Sequence, residues 1–290
     1  LDLSCNTISF EIIKTDTVSI FKTCLLFFLF HSFVNSFAQS NIRVFHEDVA
    51  NGVVIYADNP EHCPLTVELN FKLKNFKVQG TEQTSFLVQK NSKKVALATL
   101  KIIDKTKPSS FGYTYGTSLG DNSQTEYDRE FAYSLPFEKG TKFGLHQGYN
   151  GTFSHQNQNS LDFTMPVGTP ITAMRGGVVI KVVENNNSGC PSKECAKFNN
   201  LVIIYHEDGT FAEYAHIMKN GVIVEVGDQI TQDQIIAKSG NTGWSSGPHL
   251  HVMVYLQKLK SVQTIPTKFK TGDGTKVDFL KEKEIYLREY

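Results

Sequence analysis

The chain has 290 residues, 40% of them hydrophobic and 20% charged, which excludes disordered, collagen-like and coiled-coil classes. Lys+Arg and Asp+Glu both number 29, so no bulk charge draws the protein to DNA, RNA or an anionic membrane, and no nucleic-acid partner is expected. The 21 Phe and 11 Tyr against one Trp suit pleated, half-buried surfaces and point to an all-β chain of about two domains.

Residues 24–38 form an apolar run that follows Lys22 and ends in Ser36-Phe37-Ala38. A basic residue, a short apolar core and a small–x–small end read as a secretory signal peptide cut after Ala38. His31, Ser32, Asn35 and Ser36 interrupt a run already short of the ~20 residues a bilayer needs, so no stable membrane span is expected after cleavage. Residues 1–21 read as neither signal nor domain, and 1–38 together form the leader segment. The product is expected in the periplasm, the cell envelope or the medium. Such compartments permit disulfides. Cys190 and Cys195 bracket Pro-Ser-Lys-Glu in a polar loop and are expected to pair, with Cys63 outside that staple. A cysteine metal site lacks a second close pair.

Residues 39–130 show short apolar runs, such as Val53-Val54-Ile55-Tyr56 and Leu65-Thr66-Val67-Glu68-Leu69, between turn-forming connectors. They predict a small β-sandwich accessory domain. His46 and His62 stand alone in it and read as surface residues. The Gly-, Ser-, Thr- and Asn-rich stretch 113–129 reads as linker. Sixteen of the 21 glycines then fall after residue 135, where they punctuate strands, so 131–260 reads as a second all-β domain with tight turns. A short turn is expected near Phe279, and 261–290 reads as a C-terminal extension.

Chemistry concentrates in the second domain. In a strand, His249 and His251 of Gly247-Pro248-His249-Leu250-His251 must share one face while Leu250 takes the other. Two close imidazoles repel when protonated, and a shared metal or proton removes the conflict. Asp208-Gly209 predicts a two-residue turn, which sets Leu201 opposite His216 and His206 opposite Phe211. His216 then turns towards the His249 strand, His206 is structural, and His146 stays in the background. Asp162 is the acid that stands out beside these histidines.

Ser154-His155, Asp162-Phe163, Pro166-x-Gly168-Thr169-Pro170, Tyr214-Ala215-His216, Gly240-x-Thr242-Gly243 and Gly247-Pro248-His249-Leu250-His251 follow one another in the order of a known framework. Over about 135–257 the chain resembles the M23 zinc metallopeptidases, the lysostaphin/LytM-like endopeptidases. Six residues separate His155 from Asp162 where many members have three, which looks like an inserted loop. The resemblance implies an antiparallel β-sheet peptidase domain with a groove, in which His155, Asp162 and His251 ligate Zn²⁺. It also implies His216 and His249 as catalytic residues and peptidoglycan peptides as substrate. Two imidazoles and a carboxylate leave a fourth zinc position open for water, whose pKa the metal lowers towards ~7. His249 would then shuttle the proton, and His216 would hydrogen-bond the oxyanion. The Gly176-Gly177 and Val226-Gly227-Asp228 hairpins resemble lipoyl and biotinyl carriers, but no Met-Lys-Met-type tip is present, so that likeness is one of fold. The competing readings are an inactive M23-like module that binds or regulates wall hydrolases, and a peptidase for Gly-rich proteins.

Overall fold

The computed structural model describes residues 6–10, 41–80 and 83–290. The apolar run 24–38 lies outside the described residues. The chain divides into two units, one spanning Cys5–Leu119 and one containing Gly120–Tyr290. Among the described residues no helix is long and apolar enough to cross a membrane.

The first unit is a sandwich of two four-stranded antiparallel sheets. One orders Asn6–Phe10, Ser110–Leu119, Leu65–Lys74 and Ser85–Val88; the other orders Arg43–Val49, Gly52–Asn59, Ser92–Ile102 and Phe76–Val78. Period-2 alternation sends Leu65, Val67 and Leu69 from one sheet to meet Val53, Ile55 and Leu100 from the other in a single core. Two expectations are corrected here. Residues 113–119 are strand, not linker: Tyr113 and Tyr115 are buried in this core, and the Thr, Gly and Ser around them hide the alternation. His46 is half-buried, its ring edge against Phe111 and its Nδ1 3.3 Å from the Tyr113 hydroxyl. Asn6–Phe10, for which the sequence suggested no element, adds a strand beside Ser110–Leu119.

The second unit is built on a nine-stranded antiparallel sheet. Its order is Gln229–Ile230, Gly177–Val183, Leu201–Tyr205, Phe211–Ala215, His249–Gln257, Ser160–Thr164, Lys142–Gln147 and Ile285–Leu287, with Val262–Ile265 also pairing to His249–Gln257. A three-stranded sheet of Pro170–Thr172, Ile235–Ser239 and Ile217–Val222 contributes to the same core. One sheet face carries Leu161, Phe163, Val202, Ile204, Tyr214, Leu250 and Val252 into that core. Its opposite face is therefore available for polar groups. Residues 261–290, expected as an extension, are woven into this unit: Ile285–Leu287 closes the sheet, and the buried Arg288 donates to the Phe137 carbonyl at 2.6 Å. The turn expected near Phe279 is the strand Lys276–Phe279, paired with Lys268–Thr271. Cys190 and Cys195 form a disulfide across the loop that holds the 3-10 helix Lys193–Phe198.

Candidate metal centre

Strand register assembles the site. Ala215 pairs with His251, His251 with Asp162 and Asp162 with Gln147, so four adjacent strands present one row on the open face. His249 lies two residues earlier on the same face, opposite Thr164, while Leu250 enters the core as alternation requires. His155 reaches the row from the loop after Lys142–Gln147. The groove above holds about 420 Å³ and is walled by Phe153, Trp244, Pro248 and Lys193. His146, set aside in the sequence, also lines it.

Asp162 Oδ1 is the hub. It lies 2.8 Å from His251 Nδ1, 3.3 Å from His155 Nε2 and 3.9 Å from His249 Nε2. Its other oxygen accepts from Gln147 Nε2 at 2.9 Å. The Gln147 carbonyl in turn accepts the backbone N–H groups of Phe153 and Ser154, each at 3.0 Å. One glutamine therefore ties the loop that carries His155 to the carboxylate. Sequence reasoning missed Gln147, because its role depends on a cross-strand neighbour and no motif marks it.

Backbone carbonyls fix the histidine tautomers. A carbonyl only accepts, so the ring nitrogen facing it bears the hydrogen. His155 Nδ1 donates to Gly148 O at 3.1 Å, His216 Nδ1 to Thr242 O at 2.6 Å and His249 Nδ1 to Gly247 O at 2.8 Å. In each neutral ring Nε2 is then a lone pair. His155 Nε2 is buried, has no other hydrogen-bond partner and faces Asp162 Oδ1 at 3.3 Å. These two atoms need positive charge between them, from a hydrogen or from a cation. Ligand atoms of His155, Asp162 and His251 all lie within 4.8 Å of one another. Two imidazoles and one carboxylate are an ordinary catalytic metal set, so these residues fit a divalent ion.

Electrostatics agree with that reading. Burial alone would raise the Asp162 pKa, but the flanking His155 and His251 rings hold it well below the carboxylate range. Burial, with His249 and His251 nearby, pushes His216 down to about 3. Burial also lowers His249, against the opposing pull of Asp162. Both rings are therefore neutral proton acceptors at neutral pH.

The hairpin before His216 differs from the expected register. Leu201 pairs with Ala215 and Tyr205 with Phe211, one residue away from the prediction. The cause is a three-residue loop, with Gly209 left-handed at φ 84° and the His206 N–H bonded to Thr210 O at 2.8 Å. His206 is wholly buried and structural, its Nδ1 2.9 Å from Thr210 Oγ1. His216 follows the last residue of Phe211–Ala215 with φ at 64°, a left-handed conformation that costs a non-glycine residue about 1–3 kcal/mol. Its N–H is held by Asn199 Oδ1 at 3.0 Å, so ring and backbone are both anchored.

Gly240 explains part of the glycine framework. A Cβ there would come within 2.4 Å of Met218 N and 2.7 Å of His216 O. Gly240→Ala is expected to destabilise the protein by about 1–3 kcal/mol through overpacking. Thermal melts of the variant and the wild type test this.

Residues 156–264 match the model of peptidase family M23. Over this segment the chain is M23-like. It contains Asp162, His216, His249 and His251, and His155 immediately precedes it. An uncharacterized metalloprotease of Buchnera aphidicola is 28% identical over 68% of this chain and 46% of its own length. The peptidoglycan DD-endopeptidase ShyA of Vibrio cholerae is 36% identical over 32% of this chain and 19% of its own. Lysostaphin of Staphylococcus simulans is 31% identical over 43% of this chain and 21% of its own. The solved catalytic domain of that lysostaphin is 26% identical over 43% of this chain and 87% of that domain, with a TM-score of 0.32. The chain thus spans less than half the length of these curated relatives.

Proposed function

We propose that the M23-like domain is a zinc endopeptidase that hydrolyses peptide bonds in the stems or cross-bridges of peptidoglycan, working outside the cytoplasm. The observation that carries this reading is the convergence of three imidazole nitrogens on Asp162 Oδ1 within 4 Å, at the floor of an open groove. The named activities of ShyA and lysostaphin support the substrate class, and the pattern at 24–38 supports export.

His155, Asp162 and His251 would hold the ion. When bound, zinc supplies Lewis-acid polarisation of the scissile carbonyl and lowers the pKa of water in the groove. The chain's own residues handle the protons. His249 Nε2, beside Asp162, accepts a proton from the attacking water and returns it to the leaving amine. The nearby negative charge stabilises the imidazolium formed in between. His216 was expected to donate to the oxyanion, but its only ring hydrogen is committed to Thr242 O. We therefore assign its Nε2 an acceptor's role, orienting the same water from the other side. The rings of His216 and His249 lie 4.4 Å apart, close enough to share one water. Phe153, Trp244 and Pro248 offer apolar walls to an extended peptide.

Dye release from purified cell walls tests the reading. Release should stop with a chelator and return on adding Zn²⁺, with mass analysis of the soluble fragments showing cleaved peptides. Release unchanged by chelator would overturn it, and so would a pure, folded protein that neither contains nor takes up zinc, which is the behaviour of an inactive module.

A further inference from the structure

One row beyond Asp162 and His251, on the same sheet face, register sets Glu213 opposite Met253. Glu213 is 1% exposed, and neither carboxylate oxygen has a hydrogen-bond partner. His251 Nε2, on the ring edge remote from the Nδ1 that faces Asp162, is likewise buried and without a partner. Burying a carboxylate with no partner costs several kcal/mol, so a sequence that places one here needs a reason. Register brings the two groups near each other: Glu213 lies two residues before Ala215, the residue paired with His251, and on the same face.

The chemistry of a metal-ligating imidazole supplies the reason. If Nδ1 gives its lone pair to a cation beside Asp162, the ring's hydrogen must sit on Nε2. That buried N–H then needs an acceptor, and a carboxylate in that position fixes the tautomer and raises the basicity of the ligand. Glu213 and His251 both border the groove, and a single water between two such buried polar groups would serve both. We propose that Glu213 is a positioning residue for His251, accepting the Nε2–H hydrogen bond through one bridging water and thereby holding Nδ1 as the metal-facing lone pair. This inference rests on the zinc reading of the site.

The test is zinc affinity, measured by competition with a chromophoric chelator, for the wild-type chain, Glu213→Gln and Glu213→Leu, together with the melting temperature of each metal-free protein. Gln keeps the shape and one acceptor but loses the charge; Leu loses both. Affinity should fall about 10–100-fold, with Leu worse than Gln. The metal-free melting temperature should hold or rise, because a costly buried carboxylate has been removed. A residue that only supports the fold would lower affinity in step with the metal-free melting temperature, and that result would overturn the proposal. So would zinc affinity in both variants within twofold of wild type. Glu213→Gln is nearly isosteric and keeps the test open if Glu213→Leu does not fold. A wild-type protein that binds no zinc would instead remove the metallopeptidase reading on which this one stands.

Discussion

On the proposed reading, Asp162→Asn is expected to abolish zinc binding by the M23-like domain and to reduce wall hydrolysis to the level of chelated wild type. The side chain keeps its shape, so the loss traces to one charge. Oδ1 is the atom shared by three imidazoles, and it is the anionic member of the candidate ligand set. A neutral amide there ligates a divalent ion far more weakly, so zinc affinity should fall by more than about 10²-fold. The metal-free fold should weaken too. Asp162 accepts from Gln147 and faces His251 Nδ1 at 2.8 Å, and losing charge-assisted hydrogen bonds of this kind costs about 1.5–3 kcal/mol each. The sign of the pH dependence follows from its depressed pKa. A carboxyl held below its ordinary value of 3.8 contributes stability that is fully present above that value and is lost as pH falls below it. The gap in metal-free melting temperature between wild type and Asp162→Asn should therefore be wide at pH 7 and close in the acid range. Metal analysis, dye release and melts at several pH values check the three parts.

The parts of this site that depend on local spacing were legible in the sequence. Alternation alone places His249 and His251 on one face and Leu250 in the core, and the structure does the same. The glycine-punctuated pattern after residue 135 identified an all-β unit. What escaped was set by tertiary neighbours. Gln147 becomes a support for Asp162 only once Lys142–Gln147 lies beside Ser160–Thr164. Asn199, Thr242 and Glu213 acquire meaning in the same way. The hairpin register failed by one residue, because a three-residue loop with a left-handed Gly209 competes with the two-residue turn that Asp208-Gly209 suggests. The error mattered little for His216, whose position is fixed by a left-handed backbone and the Asn199 and Thr242 contacts. Residues 113–119 were misread because small polar residues hide a strand whose buried positions are tyrosines.

His249→Ala should separate chemistry from metal binding. His249 Nε2 lies 3.9 Å from Asp162 Oδ1, and its ring is anchored through Nδ1 to Gly247 O, so its removal leaves the His155, Asp162 and His251 cluster intact. Zinc content should stay stoichiometric while kcat falls about 10²–10⁴-fold, the usual worth of a positioned general base. KM should move little, since the apolar walls of the groove are untouched. His216→Ala should behave alike if both rings serve one water. The double variant should then lose much less than the product of the two single losses, because residues that act as a unit are not additive. A multiplicative double variant would show that the rings act in separate steps. The wild-type pH profile carries the same signature. His249 must be unprotonated to accept the proton, and burial holds its pKa below the ordinary 6.5. The acid limb of kcat/KM should accordingly fall below pH 6.5, and an acid limb above that value would place the base elsewhere.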